Sequence, residues 1–562
     1  MCGIFCALGL KQSEELLNNL QKSCEFFINR RGPDHQNTHK FSKLSKNAKQ
    51  EVNFIFTASV LWLQGENLTK QPIITEKSVF LFNGDVFDGI SELDRKRFGD
   101  TQLLFDRLEQ NTEISLELSK ISGPYAFIYF DKINSRLYFG CDVFGRRSLL
   151  IGKKNDVLVL SSVVNKGVFI HEVPPIGTFC IDLEEDVVIL YPWGFRNGDF
   201  EAKLNDIETI LKKKIKIIQN ITLTNKKLEY TEPNHDDLKV YEDIKTNQNL
   251  ISPFEILLRD LNFLKNVSTL LGKLENSIKT RILTQPKFCG RCVNTKTVCD
   301  HSTIGVLFSG GVDCTILAVL IDKFYDKVRP IDLINVAFER GENNYETPDR
   351  ETSLQSYEEL KKICPKRIWN FIEANISKKE LDEVRNNHIK HLIYPLNRIL
   401  DDSLGCALWF AGRGIGVKFV TSARVLIVGM GADELFGGYC KQRGKMKISG
   451  WRGLHESLEE DWENISRKNL ARDDRVVSDH GRQLRTPYLD ENVVEFARNL
   501  PCWEKTYPSD DFPRGLGEKI LLRSLAYHLG LKSACLLKKR ALQFGSRIAN
   551  SKENAFNVSP RL

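Results

Sequence analysis

No window of this chain is apolar for long enough to cross a membrane, so no membrane partner is expected. An excess of one charge is lacking too. The formal charge is +7 over 562 residues, which speaks to solubility and is no nucleic-acid signature. The basic run KKKIKI at 212–217 reads as a solvated face. Fourteen cysteines are scattered without the density of a disulfide scaffold, which suits a reducing compartment. The apolar start, residues 2–10, is too short for a signal peptide and has no basic stretch before it. The cytoplasm is therefore the expected compartment. What is present, 41% hydrophobic and 27% charged residues, describes a globular protein long enough for roughly two to four domains.

Up to about residue 195 the text is strand-like, with runs such as VNFIFTASV, SVFLFNGDVF, PYAFIYFD and SRLYFGCDVFG. One helical pattern interrupts them, placing Leu16, Leu17, Leu20, Cys24, Phe27 and Ile28 on one face. Residues 196–252 are rich in Lys, Asn and Asp and read as a charged linker or insertion. From 253 to 562, Leu257, Leu261, Leu264, Leu271, Leu274 and Ile278 recur at helical spacing. Short buried strands then alternate with helices, the signature of a doubly wound parallel sheet.

Two stretches carry chemistry. MCGIFCALG places Cys2 behind the initiator methionine. With Met1 removed, its free amine, of unperturbed pKa about 8, can act as base for its own thiol. A buried structural thiol is the plainer reading of that stretch alone. In LFSGGVDCT, a strand runs into Ser309, Gly310 and Gly311, and a helix follows from about Asp313. Adjacent glycines and a helix N-terminus suit a phosphate, and Asp313 suits a magnesium ion accompanying pyrophosphate. The Lys and spacing of a Walker loop are missing.

SGGVDC resembles the pyrophosphate loop of ATP pyrophosphatases. RRGPD at 30–34, FNGDVF at 82–87, VGMGADELFGGY at 428–439 and RTPYLDENVVEFA at 485–497 extend the likeness over nearly the whole chain. The sequence resembles glutamine-dependent asparagine synthetase, and more closely the asparagine synthetase domain-containing protein 1 family. The resemblance implies an N-terminal-nucleophile αββα sandwich over 1–195, a class II glutamine amidotransferase, followed by an ATP pyrophosphatase domain of the doubly wound class. Cys2 would attack the glutamine amide, with Asn83 and Gly84 as oxyanion donors and Arg31, Asp85 and Asp100 around the substrate. Phe308, Ser309, Gly310, Gly311, Asp313, Phe338 and Gly429 would take ATP, and Asp313 with Asp433 would hold Mg2+. Glutamine, ATP and aspartate are the implied small-molecule substrates, with no nucleic acid among the partners. A fused pair of domains further implies a sheltered passage for ammonia between them.

The sequence departs from the family pattern in places. Val60 stands where amidotransferases keep an arginine for the glutamine carboxylate, a contact of roughly 2–3 kcal/mol. Asp85 replaces Glu, Cys314 replaces Ser, Met430 replaces Glu, and Ala541 replaces a Lys that Lys538, Lys539 or Arg540 could supply. Two other readings stay open: a synthetase fold that has lost activity and serves in interactions, and an ATP pyrophosphatase for another acceptor. Cys289, Cys292, Cys299 and His301 form a set that could bind zinc, although the step from Cys292 to Cys299 is short for a ribbon.

Overall fold

In the computed structural model, residues 2–44, 50–168, 170–194, 199–221, 229–247 and 251–549 are described. Alternating apolar residues give each early strand two buried faces. Gly3–Leu10 lies between Glu51–Val60 and Val157–Ser161, antiparallel to both. With His35–Leu44, Leu150–Lys154 and His171–Glu172 these make a six-stranded sheet. A seven-stranded sheet runs from Ile73–Ile74 through Ser78–Gly84, Tyr125–Asp131, Arg136–Cys141, Gly177–Asp182 and Val187–Pro192 to Ile215–Ile217. Ile4, Cys6, Phe54 and Phe56 of one sheet share a core with Leu81, Ile128, Phe130 and Phe139 of the other. Outside the first sheet, Phe5 and Ile55 pack on Leu17, Cys24, Phe27 and Ile28 of the helix Glu14–Arg31. Outside the second, Phe80 and Phe127 pack on Leu104, Phe105 and Leu108 of Asp100–Gln110. The layers are therefore αββα.

Residues 196–252 are not a plain linker where they are described. The helix Phe200–Leu211 buries Phe200, Leu204, Ile207 and Ile210 in the sandwich core. Ile215–Ile217 then pairs in parallel with Val187–Pro192, while Lys213 and Lys214 meet Asp186 and Glu208. The helix His235–Asn247 sends Tyr241 and Ile244 into the other half. The apolar residues recur at helical spacing there, but lysine and asparagine dilute the pattern. Residues 195–198, 222–228 and 248–250 lie outside the described residues.

The C-terminal half is built on five parallel strands in the order Trp369–Ile376, Ile331–Phe338, Ile304–Leu307, Val425–Ile427, Gln483–Arg485. Winding reverses between Ile304–Leu307 and Val425–Ile427, and a doubly wound sheet opens a crevice at that switch point. The SGGVD and GADE stretches follow those two strand ends. The helical stripe before the sheet is offset from its predicted position. Asp260 caps a new helix, Leu261–Leu283, by accepting from the Phe263 amide, so Phe263, Val267, Leu270, Leu274 and Ile278 turn inward and Leu261 lies exposed. Among the described residues, no helix is long and apolar enough to cross a membrane.

Candidate active sites

The N-terminal site forms where the first strand meets the second sheet. Cys2 is buried, and its backbone N donates to Asn83 Oδ1 at 3.0 Å. Asn83 Nδ2 is buried and has no hydrogen-bond partner, leaving a polar hydrogen available near the thiol. Gln71 Nε2 reaches Cys2 Sγ at 3.5 Å, while its Oε1 accepts from the Phe82 amide at 2.7 Å. Gly84 is required here for space, because a Cβ would stand 2.4 Å from the Pro124 carbonyl oxygen. Burial pushes the Cys2 thiol up from its ordinary pKa.

A small cavity, about 30 Å³, lies beside the thiol. Cys2, Val60, Trp62, Gln71, Asp85 and Asp100 line it, and among the described residues no Lys or Arg does. Asp100 accepts from the amides of Val86 and Thr101. Burial, reinforced by the charge of Asp85, pushes its carboxyl up to about 6.

Two of the expected glutamine contacts, Asp85 and Arg31, also pair across the domain interface. The Asp85 carboxylate meets Arg485 at 2.9 Å and Arg147 at 3.3 Å and accepts from Gln64 at 3.0 Å. Burial raises its pKa, but the two guanidiniums outweigh burial and hold it below the ordinary carboxylate value. Arg31 spans from the Cys2 carbonyl, at 3.3 Å, to Asp474 at 2.7 Å. Asp474 also takes Arg147 and the Ser148 amide, and Asp34 of the RGPD loop pairs with Arg424. Charged side chains of the C-terminal half thus hold Asp85, Arg31 and Asp34 around the N-terminal site.

The second site is a cavity of about 670 Å³ at the switch point. Phe308, Ser309, Gly311, Asp313, Gly429, Met430, Asp433 and Ala541 line it. Gly310 turns the loop at φ +79°, where a Cβ would stand 2.5 Å from the backbone of Ser353. Phe338 does not reach the cavity wall; it packs edge-on against Phe410, 5.9 Å away, in the core. It shares a strand face with Ile334 and Val336, which do line the cavity, but sits at the strand's far end, beyond the wall.

At the cavity floor, Asp313 Oδ2 and Asp433 Oδ1 converge on Lys519 Nζ at 2.6 and 2.7 Å. Lys539 reaches Asp433 Oδ2 at 3.1 Å, placing a cation two residues before Ala541. Burial raises the pKa of Asp433, yet Lys519 and Lys539 outweigh burial and hold it far below the ordinary value. Burial raises Asp313, against Lys519 and with the charge of Asp433 adding to it. Asp313 Oδ1 is buried without a hydrogen-bond partner, so the pair fits a hard cation such as Mg2+ with a ligand atom to spare. Glu434, held by the Tyr439 hydroxyl at 2.6 Å, is pushed up to about 7 by burial and then by Asp433. Glu434 and Tyr439 fall within the VGMGADELFGGY stretch without a site role read from it, and Lys519 carries no signal in the sequence. Lys519 stands far along the chain from both aspartates, and only folding joins them.

Residues 60–166 match the Glutamine amidotransferase domain family, and residues 290–448 and 441–556 match the Asparagine synthase family. The chain is 37% identical over 593 residues to the Asparagine synthetase domain-containing protein CG17486 of Drosophila melanogaster, covering 100% of both chains. It is 35% identical to the human Asparagine synthetase domain-containing protein 1, covering 98% of this chain and 95% of the human one. The glutamine-hydrolyzing Asparagine synthetase of Gallus gallus is more distant, at 22% identity over 99% of this chain and 86% of its own. Conserved order of two halves, full-length coverage and a buried Cys2 beside Asn83 agree: the chain belongs to the asparagine synthetase domain-containing protein 1 family.

Proposed function

We propose that this protein is an ATP-dependent amide-forming ligase of the asparagine synthetase type, with aspartate as acceptor. The observation that carries the reading is the convergence of Asp313 and Asp433, from two strand ends flanking the switch point, on Lys519 in a large crevice. Ser309 and the Gly310–Gly311 backbone would receive the pyrophosphate portion of ATP, and Asp313 with Asp433 would hold Mg2+, which neutralises phosphate charge when bound. The acceptor carboxylate would attack the α-phosphorus, releasing pyrophosphate, and ammonia would then displace AMP. Arg398 and Lys468, further along the cavity wall, offer positive charge to an acidic acceptor. Cys2, with Met1 removed, would release that ammonia from glutamine through a thioester, Asn83 donating to the oxyanion.

A second reading is favoured by the first cavity. Among the described residues its wall offers no Lys or Arg for a glutamine carboxylate, and Asp85 is paired with Arg485 and Arg147. On that reading the synthetase half runs on free ammonium alone. Purified protein with Mg-ATP and aspartate, supplied with glutamine or ammonium and followed for pyrophosphate, AMP and asparagine, tests both. Asparagine from either nitrogen source supports the first reading, and from ammonium only, the second. Absence of pyrophosphate with either source refutes both.

A further inference from the structure

The connection between the helix Leu261–Leu283 and the strand Ile304–Leu307 has no regular secondary structure and little core of its own. Within KFCGRCVNTKTVCDH, Val293 is a buried aliphatic and Val298 is 71% exposed. Hydrophobic burial contributes little to holding so polar a segment. Its thiols offer another means. The ligand atoms of Cys289, Cys292, Cys299 and His301 all lie within 4.8 Å of one another. All three cysteines are free of disulfides.

The spacing of those atoms matches a specific geometry. His301 Nδ1 is 3.5 Å from Cys289 Sγ and 3.6 Å from Cys292 Sγ. A tetrahedral zinc ion with ordinary Zn–S and Zn–N bonds sets a sulfur-to-nitrogen edge of about 3.6 Å. The short step from Cys292 to Cys299 is closed by a tight turn. The Lys296 and Thr297 amides donate back to Val293 and Cys292, and Lys296 takes a left-handed φ of +50°. Three thiolates and an imidazole are soft donors that select zinc, and four protein ligands leave no open position, as in a structural site. Three thiolates around a divalent ion leave one net negative charge, and Lys287, Arg291 and Lys296 surround the set in sequence.

The segment is also placed to matter elsewhere. The Gly290 amide donates to the Ser422 carbonyl at 2.8 Å, and Arg291 donates to the Val420 carbonyl, tying the segment to the synthetase half. On its other side the Phe288 ring lies 5.9 Å from the Trp62 ring, and Lys296 Nζ stands 5.4 Å over that Trp62 ring. Trp62 is a wall of the cavity beside Cys2. Its backbone N donates to Asp34 and its indole N–H to the Gln64 carbonyl.

We propose that Cys289, Cys292, Cys299 and His301 bind one zinc ion in a structural site, and that the zinc-held segment clamps Trp62 against the Cys2 cavity. Folding of the segment is then coupled to metal, since binding energy at such sites is folding energy.

Full-length protein purified without chelator and analysed for metals by plasma mass spectrometry is expected to carry one zinc per chain. Substituting cobalt is expected to give the intense thiolate-to-cobalt bands of a tetrahedral sulfur-rich site, a readout that needs no variant. Cys292→Ser and His301→Asn should each lose the zinc while the purified protein keeps its circular dichroism. Stripping zinc from the unaltered chain should speed amide exchange both at 285–302 and at 60–65. Protein that carries no zinc and retains none after incubation with zinc chloride and desalting overturns the site. So does iron in its place, or zinc that survives the double variant C289S/C292S. Zinc loss that leaves exchange at 60–65 unchanged overturns the clamp.

Discussion

Replacing Asp85 by Asn separates a substrate contact from an interface role. Asp85 is 1% exposed, and among the described residues its carboxylate is the ion-pair partner of Arg485, which is fully buried. Without that charge, among the described residues Arg485 keeps neutral acceptors: Gln483 Oε1 at 2.6 Å, the Arg281 carbonyl and Thr284 Oγ1. Arg147 and Arg281 crowd it with like charge and, after burial itself, help lower its pKa. Arg147 fares better, because Asp474 and the Leu484 carbonyl still hold it. Removing one member of a buried pair costs about 3–5 kcal/mol, and the retained Asn hydrogen bonds place this change toward the lower end. At about 2–4 °C per kcal/mol for a domain of this size, the first calorimetric transition should fall by roughly 6–12 °C. Ammonium-dependent pyrophosphate release should fall as well, because the interface also positions the Gln483–Arg485 strand of the synthetase sheet. An unchanged transition with only the glutamine KM raised would refute the interface role and return Asp85 to the substrate.

Four further outcomes are expected. Cys2→Ala should abolish glutamine-dependent amide formation and leave the ammonium-dependent rate intact; coupled product assays check it, and loss of both rates contradicts separate sites. Asp313→Asn or Asp433→Asn should lower pyrophosphate release at least ~100-fold with either nitrogen source, about 3 kcal/mol of lost charge stabilisation. Because the Asp100 carboxyl is raised to about 6, it must ionise before it can hold an α-ammonium group. The glutamine KM should therefore rise as pH falls below that value, with no such rise in Asp100→Asn, as pH-dependent kinetics would show. Asp474→Ala strips Arg31 of its ion pair and should weaken labelling of Cys2 by a glutamine-analogue electrophile, because Arg31 also holds the Cys2 carbonyl.

Much of the molecule was legible in the chain. Strand alternation and two-sided apolar runs dictated a packed sandwich, and short strands alternating with helices dictated a parallel sheet, because burial periodicity is written residue by residue. SGGVDC announced a strand-to-helix turn for an anion, since only glycine tolerates the φ and the close approach to Ser353 that Gly310 needs. Cys2 with Asn83, and Asp313 with Asp433, were nameable in advance. What folding alone decided was which charges meet. The sequence offered Val60 as a missing arginine, yet not that Asp85 is consumed by Arg485, four hundred residues away in the chain. It offered two aspartates, yet not the Lys519 that joins them. It offered Phe338 as a pocket residue, and the sheet turned it into the core. It offered four ligands at irregular spacing, and a left-handed turn at Lys296 drew them into one cluster. Periodicity is a local property of a chain and can be read from it; electrostatic partnership is set by long-range packing, and no local pattern records it.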